Sequence, residues 1–414
     1  MWMKKNMFLL FFMMPACFAL AQTKDSIVLS LEQAEAVFLK NNLALLAAQY
    51  RVSASEATAI QERLYNNPVL SAEAAAYSNS RKWFDAGSQG QKSFGIDQLI
   101  TLAGKRNKRV LLAKEHTQQE KFGLYELLRS LKYELRQSFY TVVYANELVE
   151  KFDDQMQLLQ KIIDAYEVQA AKKNVPLKDA VRLKTEYIQL SADRNAIIME
   201  SIAAQQTLQL LTDTTALIIP LKEASPERHG LALPDLLAKA QQSRPDLRLQ
   251  ESLLKEEELN YKFQKALAVP DITVGAGYDQ DGSYVPHLYT LRAAIDLPLF
   301  NRNQGNIKAA SWQVKAAEMA KNYKQNEVVT EVKASFSRLA EAEREYEVSQ
   351  QSFNKDFPEV NRSVIENFNK GNISLLEFID FFENYNSAIR QVNQLQKQRR
   401  LAWEELEYTV GTAL

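Results

Sequence analysis

The strongest constraint on this chain is that it is written twice. Pro68 begins Pro-Val-Leu-Ser-Ala-Glu-Ala-Ala-Ala-Tyr, and Pro270, 202 residues later, begins Pro-Asp-Ile-Thr-Val-Gly-Ala-Gly-Tyr. At the same offset Leu45 meets Leu247, Glu56 meets Glu258, Leu70 meets Ile272 and Ala74 meets Ala276. Ile96-Asp97 then answers Ile295-Asp296, Gly104 answers Gly305, and Ser138-Phe139 answers Ser335-Phe336, the offset drifting through 199 and 201 to 197. Self-similarity over such a span means one structural unit built twice. The join, Asp213 to Pro234, carries Pro220, Pro226, Gly230 and Pro234 and reads as linker. The expected division is residues 1–21 as a signal peptide, 22–212 and 235–414 as the two repeats, and 213–234 between them.

Each copy is expected to hold a helix, a pair of strands and two very long helices. Ser30-Leu31-Glu32-Gln33 is a capping box that predicts a helix running to about Tyr65. Short alternating strands are predicted near Val69 to Tyr77 and Ser93 to Ile100. After Gly104 there is no Pro until Pro176, and Leu128, Leu131, Leu135, Phe139, Val142, Ala145, Val149, Phe152, Met156, Leu159, Ile163, Tyr166 and Ala170 advance mostly by alternating threes and fours. That 3.5-residue period is a coiled-coil seam. With only 12 Gly and 11 Pro in 414 residues, little interrupts such rods. Roughly 70 residues at 1.5 Å each span about 100 Å, too long for the interior of a compact domain. The second copy repeats the rod from Asn306 to about Asn369, where Pro358 predicts a kink, and returns from Ser374 to Tyr408.

Composition excludes several classes. Fifty basic residues against 51 acidic ones give a formal charge of −1, which fits neither a polybasic nucleic-acid binder nor an acidic disordered chain. One Cys and three His (His116, His229, His287), far apart in sequence, supply no metal or cofactor site. No G-x-S-x-G, H-E-x-x-H or G-x-x-x-x-G-K-[ST] occurs, and Gly275-Ala276-Gly277 lies in a strand without the helix a dinucleotide fingerprint requires, so the chain does not read as an enzyme. Met1 to Ala21 has basic Lys4 and Lys5, an apolar run from Met7 to Leu20 and a small-residue Ala19-Leu20-Ala21, the layout of a secretory signal. A membrane anchor and lipidation at Cys17 are the alternatives, and cleavage after Ala21 would leave no cysteine.

The strands suggest how the rods are used. Ile272, Val274, Ala276 and Tyr278 alternate with Asp271, Thr273, Gly275, Gly277 and Asp279, and Leu291, Ala293, Ile295 and Leu297 alternate with Thr290, Arg292, Ala294 and Asp296. One face is apolar or small, and the other suits water. The length fits membrane strands of about 9 to 11 residues, with Tyr77, Trp83, Phe84, Tyr284 and Tyr289 placed for a lipid interface. A soluble hairpin packed on the helices fits the alternation equally well. In lipid a sheet must close, and four strands from one chain cannot close alone. Three chains give twelve strands and one cylinder of hairpins under C3 symmetry, whereas a dimer would give eight.

These features, with Ser30-Leu31-Glu32-Gln33-Ala34 and Asn41-Asn42, Leu102-Ala103-Gly104-Lys105-Arg106, and Pro298-Leu299-Phe300-Asn301-Arg302, resemble the TolC-like outer-membrane efflux proteins over essentially the whole mature chain. Pro358, some 13 residues ahead of Gly371, is similar to the cation-efflux (CzcC-like) branch. The resemblance implies a mixed α/β membrane protein, mostly α: a trimeric channel with a 12-stranded β-barrel, four strands per chain, in outer-membrane lipid and a long α-helical periplasmic barrel. It implies a passive conduit, for heavy-metal cations or for drugs and other small molecules. The implied partners are a periplasmic adaptor and an inner-membrane pump of the resistance-nodulation-division type. A periplasmic coiled-coil structural protein is the rival class; it explains the heptads but not the paired strands.

The same resemblance points to the helical turns as adaptor-docking tips. The second is Lys370, Gly371, Asn372, Ile373, Ser374 and Leu375; the first is Lys172, Lys173, Asn174, Val175 and Pro176. Lys173 stands where the second copy has Gly371. Gly reaches positive φ at little cost and Lys does not, so it stays open whether the two turns share a backbone. Asp179, Glu377 and Asp380 follow the turns and are implied to lie around the tunnel entrance, where carboxylates select cations. Solvated helix faces, or N-terminal charges set against the helix dipole, are the simpler reading.

Overall fold

The computed structural model describes residues 26–77, 83–85, 87, 90–223, 230–281, 284–353 and 357–414, so the expected signal segment lies outside the described residues, as do Pro226 and His229. A short strand, β1 (Ser26–Leu29), leads into α1 (Leu31–Asn41). Ser30 Oγ accepts from Gln33 N at 3.3 Å and Gln33 Oε1 accepts from Ser30 N at 3.0 Å, completing the expected capping box. The helix does not run on to Tyr65. It stops at Asn42, whose backbone is extended (φ −62°, ψ 115°) and whose Oδ1 accepts from Leu45 N at 3.0 Å to start α2 (Leu43–Gln61). An asparagine that caps the next helix competes with continuing the present one, a local choice that periodicity does not register. Next come β2 (Val69–Ala74), β3 (Gln91–Ile100), α3 (Lys105–Ala171) and α4 (Leu177–Thr212). The 67 residues of α3 form one rod of about 100 Å, with Leu135, Phe139, Val142, Phe152, Leu159 and Ile163 of the heptad seam buried.

The stretch read as linker contributes a strand, β4 (Leu217–Pro220), parallel to β1 with Ile27 opposite Ile218. Ile218 is fully buried, which explains why an apolar run inside a Pro-rich stretch orders. The second copy then repeats the series as α5 (Leu233–Ser243), α6 (Pro245–Leu267), β5 (Ile272–Asp281), β6 (Val285–Ile295), α7 (Gln304–Phe353), α8 (Phe357–Asn369) and α9 (Leu375–Val410). Pro358 is the second residue of α8; the join to α7, residues 354–356, where it would kink the rod, lies outside the described residues.

The repeat extends to single hydrogen bonds. Arg244, at the α5–α6 joint, is the counterpart of Asn42, 202 residues away. Asn42 Nδ2 donates to the Leu211 carbonyl at 2.9 Å, and Arg244 Nη1 donates to the Thr409 carbonyl at 2.9 Å. Leu211 and Thr409 occupy matching places near the ends of α4 and α9, both 36 residues long. Each donor satisfies a last-turn carbonyl that has no partner in its own helix. Arg244 also grips Asp246 (2.6 and 3.0 Å) and Glu331 on α7 (2.6 Å), and is 2% exposed.

The four strands form one antiparallel sheet in the order β2-β3-β5-β6. Its faces separate as the alternation predicts. Leu70, Ile96, Ala276 and Leu291 share one row and Phe94, Tyr278 and Tyr289 another, and this face is largely uncovered, Leu291 being 91% exposed. On the other face Asp97 and Arg292 approach to 3.5 Å across β5, directly over Gly275, where a Cβ would sit 2.0 Å from Asp97 Oδ1. Among the described residues β2 and β6 each leave an edge unpaired.

Among the described residues no single core holds the chain together. Three apolar clusters follow one another: α1, α2, α3, α4 and β4; then α3, α4, α8 and α9; then α5, α6, α7 and α9. A partly buried ionic cluster on α3 joins the first and third, with Arg136 bound to Glu35 of α1 at 2.6 Å, Glu404 of α9 at 2.9 Å, and Glu407.

Burial raises the Asp246 carboxyl, but the hydrogen bonds and charge of Arg244 outweigh it and hold it below the usual carboxylate range. Its stabilisation is therefore present above about pH 4 and lost as pH falls through the lowered value. Replacing Arg244 with Met leaves that nearly buried carboxylate with only the longer pairs to Lys324 (3.7 Å) and Arg129 (3.9 Å) and is expected to destabilise the chain by about 2 kcal/mol at neutral pH, with a smaller loss in acid. Asn42→Ala is expected to cost about 1 kcal/mol. Thermal unfolding of the purified protein at pH 7 and pH 3.5 checks both.

Candidate functional site

The two tip turns, whose likeness the residues left open, have the same backbone. Lys173 adopts φ 59° and Gly371 φ 77°. Lys173 N donates to Ala170 O and Gly371 N to Phe368 O, both at 2.9 Å; Asn174 N donates to Gln169 O at 2.9 Å and Asn372 N to Asn367 O at 2.8 Å. The asparagine side chains repeat this: Asn174 Nδ2 donates to Gln169 Oε1 at 2.7 Å and Asn372 Nδ2 to Asn367 Oδ1 at 3.0 Å. These bonds compensate for the left-handed lysine, whose strain is on the order of 1–2 kcal/mol. The return helices start differently. Ser374 caps α9 in a box with Glu377, whereas Pro176 opens α4 with no side-chain cap.

The tips carry opposite charge. Lys172, Lys173, Lys178 and Arg182 outnumber Asp179 at the first, and Glu366, Glu377, Asp380 and Glu383 outnumber Lys370 at the second, so the net charges differ in sign. Beneath them the distal core unites the repeats: Tyr166 of α3 stacks on Phe368 of α8 (5.9 Å between centroids), and Phe368 on Phe378 of α9 (4.2 Å). The three predicted acidic residues do not form one group. Glu377 Oε2 accepts from Ser374 N at 2.7 Å, and the hydrogen bonds from Ser374 hold its carboxyl below the ordinary value, so it serves the helix start. Asp179 lies in the first turn of α4, half-buried. Asp380 faces an open groove of about 440 Å³ between α4 and α9, shared with Lys178, Arg182, Glu186 and Glu383.

That groove is the end of a pattern absent from the sequence expectations. At steps of one heptad, α4 presents Glu186, Asp193 and Glu200, and 197 residues on α9 presents Glu383, Arg390 and Lys397. Asp193 pairs with Arg390 and Glu200 with Lys397. The rung nearest the tips instead pairs two carboxylates, Glu186 hydrogen-bonded to Glu383. Burial, that hydrogen bond and the charges of Glu383 and Asp193 push Glu186 up to about 7. The signal available in sequence was the constant separation of 197, legible only once α4 and α9 are known to be neighbours.

Among the described residues no group of three or more His, Cys, Asp or Glu is placed to hold a metal ion, and no helix is long and apolar enough to cross a membrane. His116 lies 3.2 Å from Ser55 Oγ and His287 3.0 Å from the Tyr278 hydroxyl.

Residues 236–412 match the family described as outer membrane efflux protein. The chain is 24% identical over 295 residues to the cobalt-zinc-cadmium resistance protein CzcC of Cupriavidus metallidurans, covering 70% of this chain and 68% of that protein. Its fold is shared with crystal structures of CusC (TM-score 0.76, 16% identity, 92% of each chain) and of the Campylobacter jejuni CmeC outer membrane channel (TM-score 0.76, 13% identity, 92% of this chain and 85% of that one). The open-state Neisseria gonorrhoeae MtrE outer membrane channel is similar as well (TM-score 0.73, 17% identity, 92% and 89%). The resemblance read from the residues and the observed fold agree.

Because both turns need a left-handed residue, Gly371→Ala is expected to destabilise the tip by about 1 kcal/mol, and Lys173→Gly to stabilise it by up to about 1 kcal/mol. Nothing lies within 4 Å of a Cβ at Gly371, so the effect is conformational and not a clash. Amide exchange at Asn174 and Asn372, read separately, distinguishes the two turns.

Proposed function

We propose, from the match of residues 236–412 to the outer membrane efflux protein family and the fold shared with outer-membrane channels, that three copies of the chain form a passive efflux conduit. The observation that carries this reading is the four-stranded sheet, apolar and uncovered on one face, with both edges unpaired, at the end of long helical hairpins. In lipid an unpaired edge costs several kcal/mol per backbone group, and three sheets joined edge to edge remove every edge. The barrel then sits in the outer membrane and the hairpins extend through the periplasm. The tip turns around Lys173 and Gly371 dock a periplasmic adaptor, which links the channel to an inner-membrane pump of the resistance-nodulation-division type. The cargo is heavy-metal cations, a reading supported by the similarity to CzcC. The chain itself performs no reaction; selection resides in the pump.

Two experiments test this. Cross-linking of the mature chain in detergent is expected to give a trimer; purification as a soluble monomer without detergent would refute the channel. Deleting the gene is expected to sensitise cells to zinc, cobalt, cadmium or copper, while sensitivity to drugs alone would overturn the metal assignment. In the complemented strain, Gly371→Val is expected to lower export at least tenfold while the trimer stays in the outer membrane; unchanged export would remove Gly371 from the docking site.

A further inference from the structure

We infer that the cavity at the foot of the first repeat, where the end of β3 meets the start of α3, binds the phosphate of an anionic phospholipid in the leaflet facing the periplasm, with Arg106 and Arg109 as donors. The inference rests on the proposed barrel only for the depth of this cavity in the membrane. The cavity measures about 220 Å³, and its walls include Tyr65 and Asn66 after α2, Gln98 and Ile100 of β3, and Arg106 and Arg109 of α3. Gln98 Nε2 donates to the Asn66 carbonyl at 3.0 Å and fastens two of those walls together. The Arg106 guanidinium lies 3.8 Å from the centre of the Tyr65 ring, and Arg109 Nε lies 3.4 Å from Glu62 Oε2. Both arginines are half-buried, yet among the described residues neither donates a side-chain hydrogen bond, and Arg109 Nε is buried without an acceptor. A guanidinium presents its N–H donors as a planar fork that matches phosphate oxygens. Two such forks, both uncommitted, border this one cavity.

The duplication supplies an internal control. Gly104 answers Gly305, so Lys105, Arg106, Lys108 and Arg109 correspond to Asn306, Ile307, Ala309 and Ala310, and Tyr65 corresponds to Leu267. Both joints pass through a left-handed residue, Ala103 at φ 54° and Asn303 at φ 56°, beside the start of a long helix. The fold therefore makes this joint without cations at these positions. The helix does not call for them either, since basic side chains in a first turn oppose the macrodipole. Lys105 is neutralised by Asp271 at 2.8 Å and Lys108 donates to the Ala103 carbonyl at 2.6 Å, which leaves the two guanidiniums with Glu62 alone. The excess of positive charge favours a headgroup of net negative charge over a zwitterionic one, whose own cation it repels. The rods leave the sheet at this end, which puts the cavity at the headgroup level of the periplasmic leaflet. Ile100 borders it, and Ile96 and Phe94 continue the uncovered apolar face along β3, a surface for the acyl chains of a lipid held by its phosphate.

The test uses the full chain extracted from outer membranes in a non-ionic detergent and reads bound lipid by native mass spectrometry. The probes are dioctanoyl phosphatidylglycerol, dioctanoyl phosphatidylcholine and inorganic phosphate. Phosphatidylglycerol is expected to bind about tenfold more tightly than phosphatidylcholine, and inorganic phosphate in excess is expected to leave that binding unchanged. Arg106→Gln with Arg109→Gln is expected to abolish the preference, and each single variant to lower it about threefold. Arg302→Gln with Lys308→Gln, which removes exposed cations beside the matching joint of the second copy, is expected to retain it. Equal binding of the two lipids, or a preference that survives Arg106→Gln with Arg109→Gln, overturns the site. A preference lost equally in the Arg302 and Lys308 variant reduces it to a diffuse basic collar and overturns it too. Displacement by inorganic phosphate identifies a free-anion site and overturns the lipid. Absence of any lipid preference together with a trimer weakened by the arginine variants assigns the cavity to the neighbouring chain. The mass of the assembly in the same spectra separates this from the channel reading: a monomer refutes the channel, while the lipid preference decides the headgroup site in either case.

Discussion

The structure depends on how a hairpin about 100 Å long is anchored at its base. A rod of that length acts as a lever, and small slippage at the base becomes displacement at the tip. In both repeats one buried side chain at a helix joint donates to a carbonyl in the last turn of the returning helix: Asn42 to Leu211, Arg244 to Thr409. The ends of both return helices are finished alike, by Asp213 and Gly411 in left-handed conformation. Asn42 achieves the anchor with a neutral amide. Arg244 does so with a cation and must be neutralised by Asp246 and Glu331, which draws α7 into the same knot. The second base is therefore the more tightly cross-braced and the more sensitive to acid.

Energetically the chain is a row of local solutions and not one core. Each apolar cluster serves one stretch of the rods, and the ionic group around Arg136 ties neighbouring clusters where the joints and rods cross. Burial raises the Glu404 carboxyl while Arg136 and Arg400 oppose it, a balance that works only with both guanidiniums in place. The sheet inverts this logic. Its apolar face finds no partner inside the chain, and its polar face organises itself around Gly275, where the absence of a side chain lets Asp97 and Arg292 meet.

Much of this was legible in the residues because long-period patterns average over local detail. The duplication, the heptads from Leu128 to Ala170, the alternation from Ile272 to Tyr278 and the capping box at Ser30 all have counterparts in the fold. What escaped was decided by single residues or by contacts distant in sequence. Asn42 ends a helix that periodicity would continue, and Ile218 orders a strand inside a stretch rich in helix breakers by being buried against α3 and α4. Lys173 adopts a glycine-like backbone because Asn174 and the preceding turn hold it there, a cooperative effect with no signature at position 173 itself. Of the acidic residues singled out, Glu377 is occupied with capping, and Glu186, a carboxyl that burial and its neighbours raise to about 7, was found only through the register of α4 on α9.

The matching turns with unlike charge have a consequence for symmetry. Six identical hairpins around an axis would present one repeated address at the rim. In the proposed trimer, three chains, each carrying a net basic turn at Lys172-Lys173 and a net acidic region near Glu377 and Asp380, would present two addresses in alternation on a scaffold nearly six-fold in backbone and only three-fold in chemistry. Joining two copies in one polypeptide thus does more than save an assembly step: it lets the halves diverge independently, so that whatever binds this rim can distinguish odd positions from even ones.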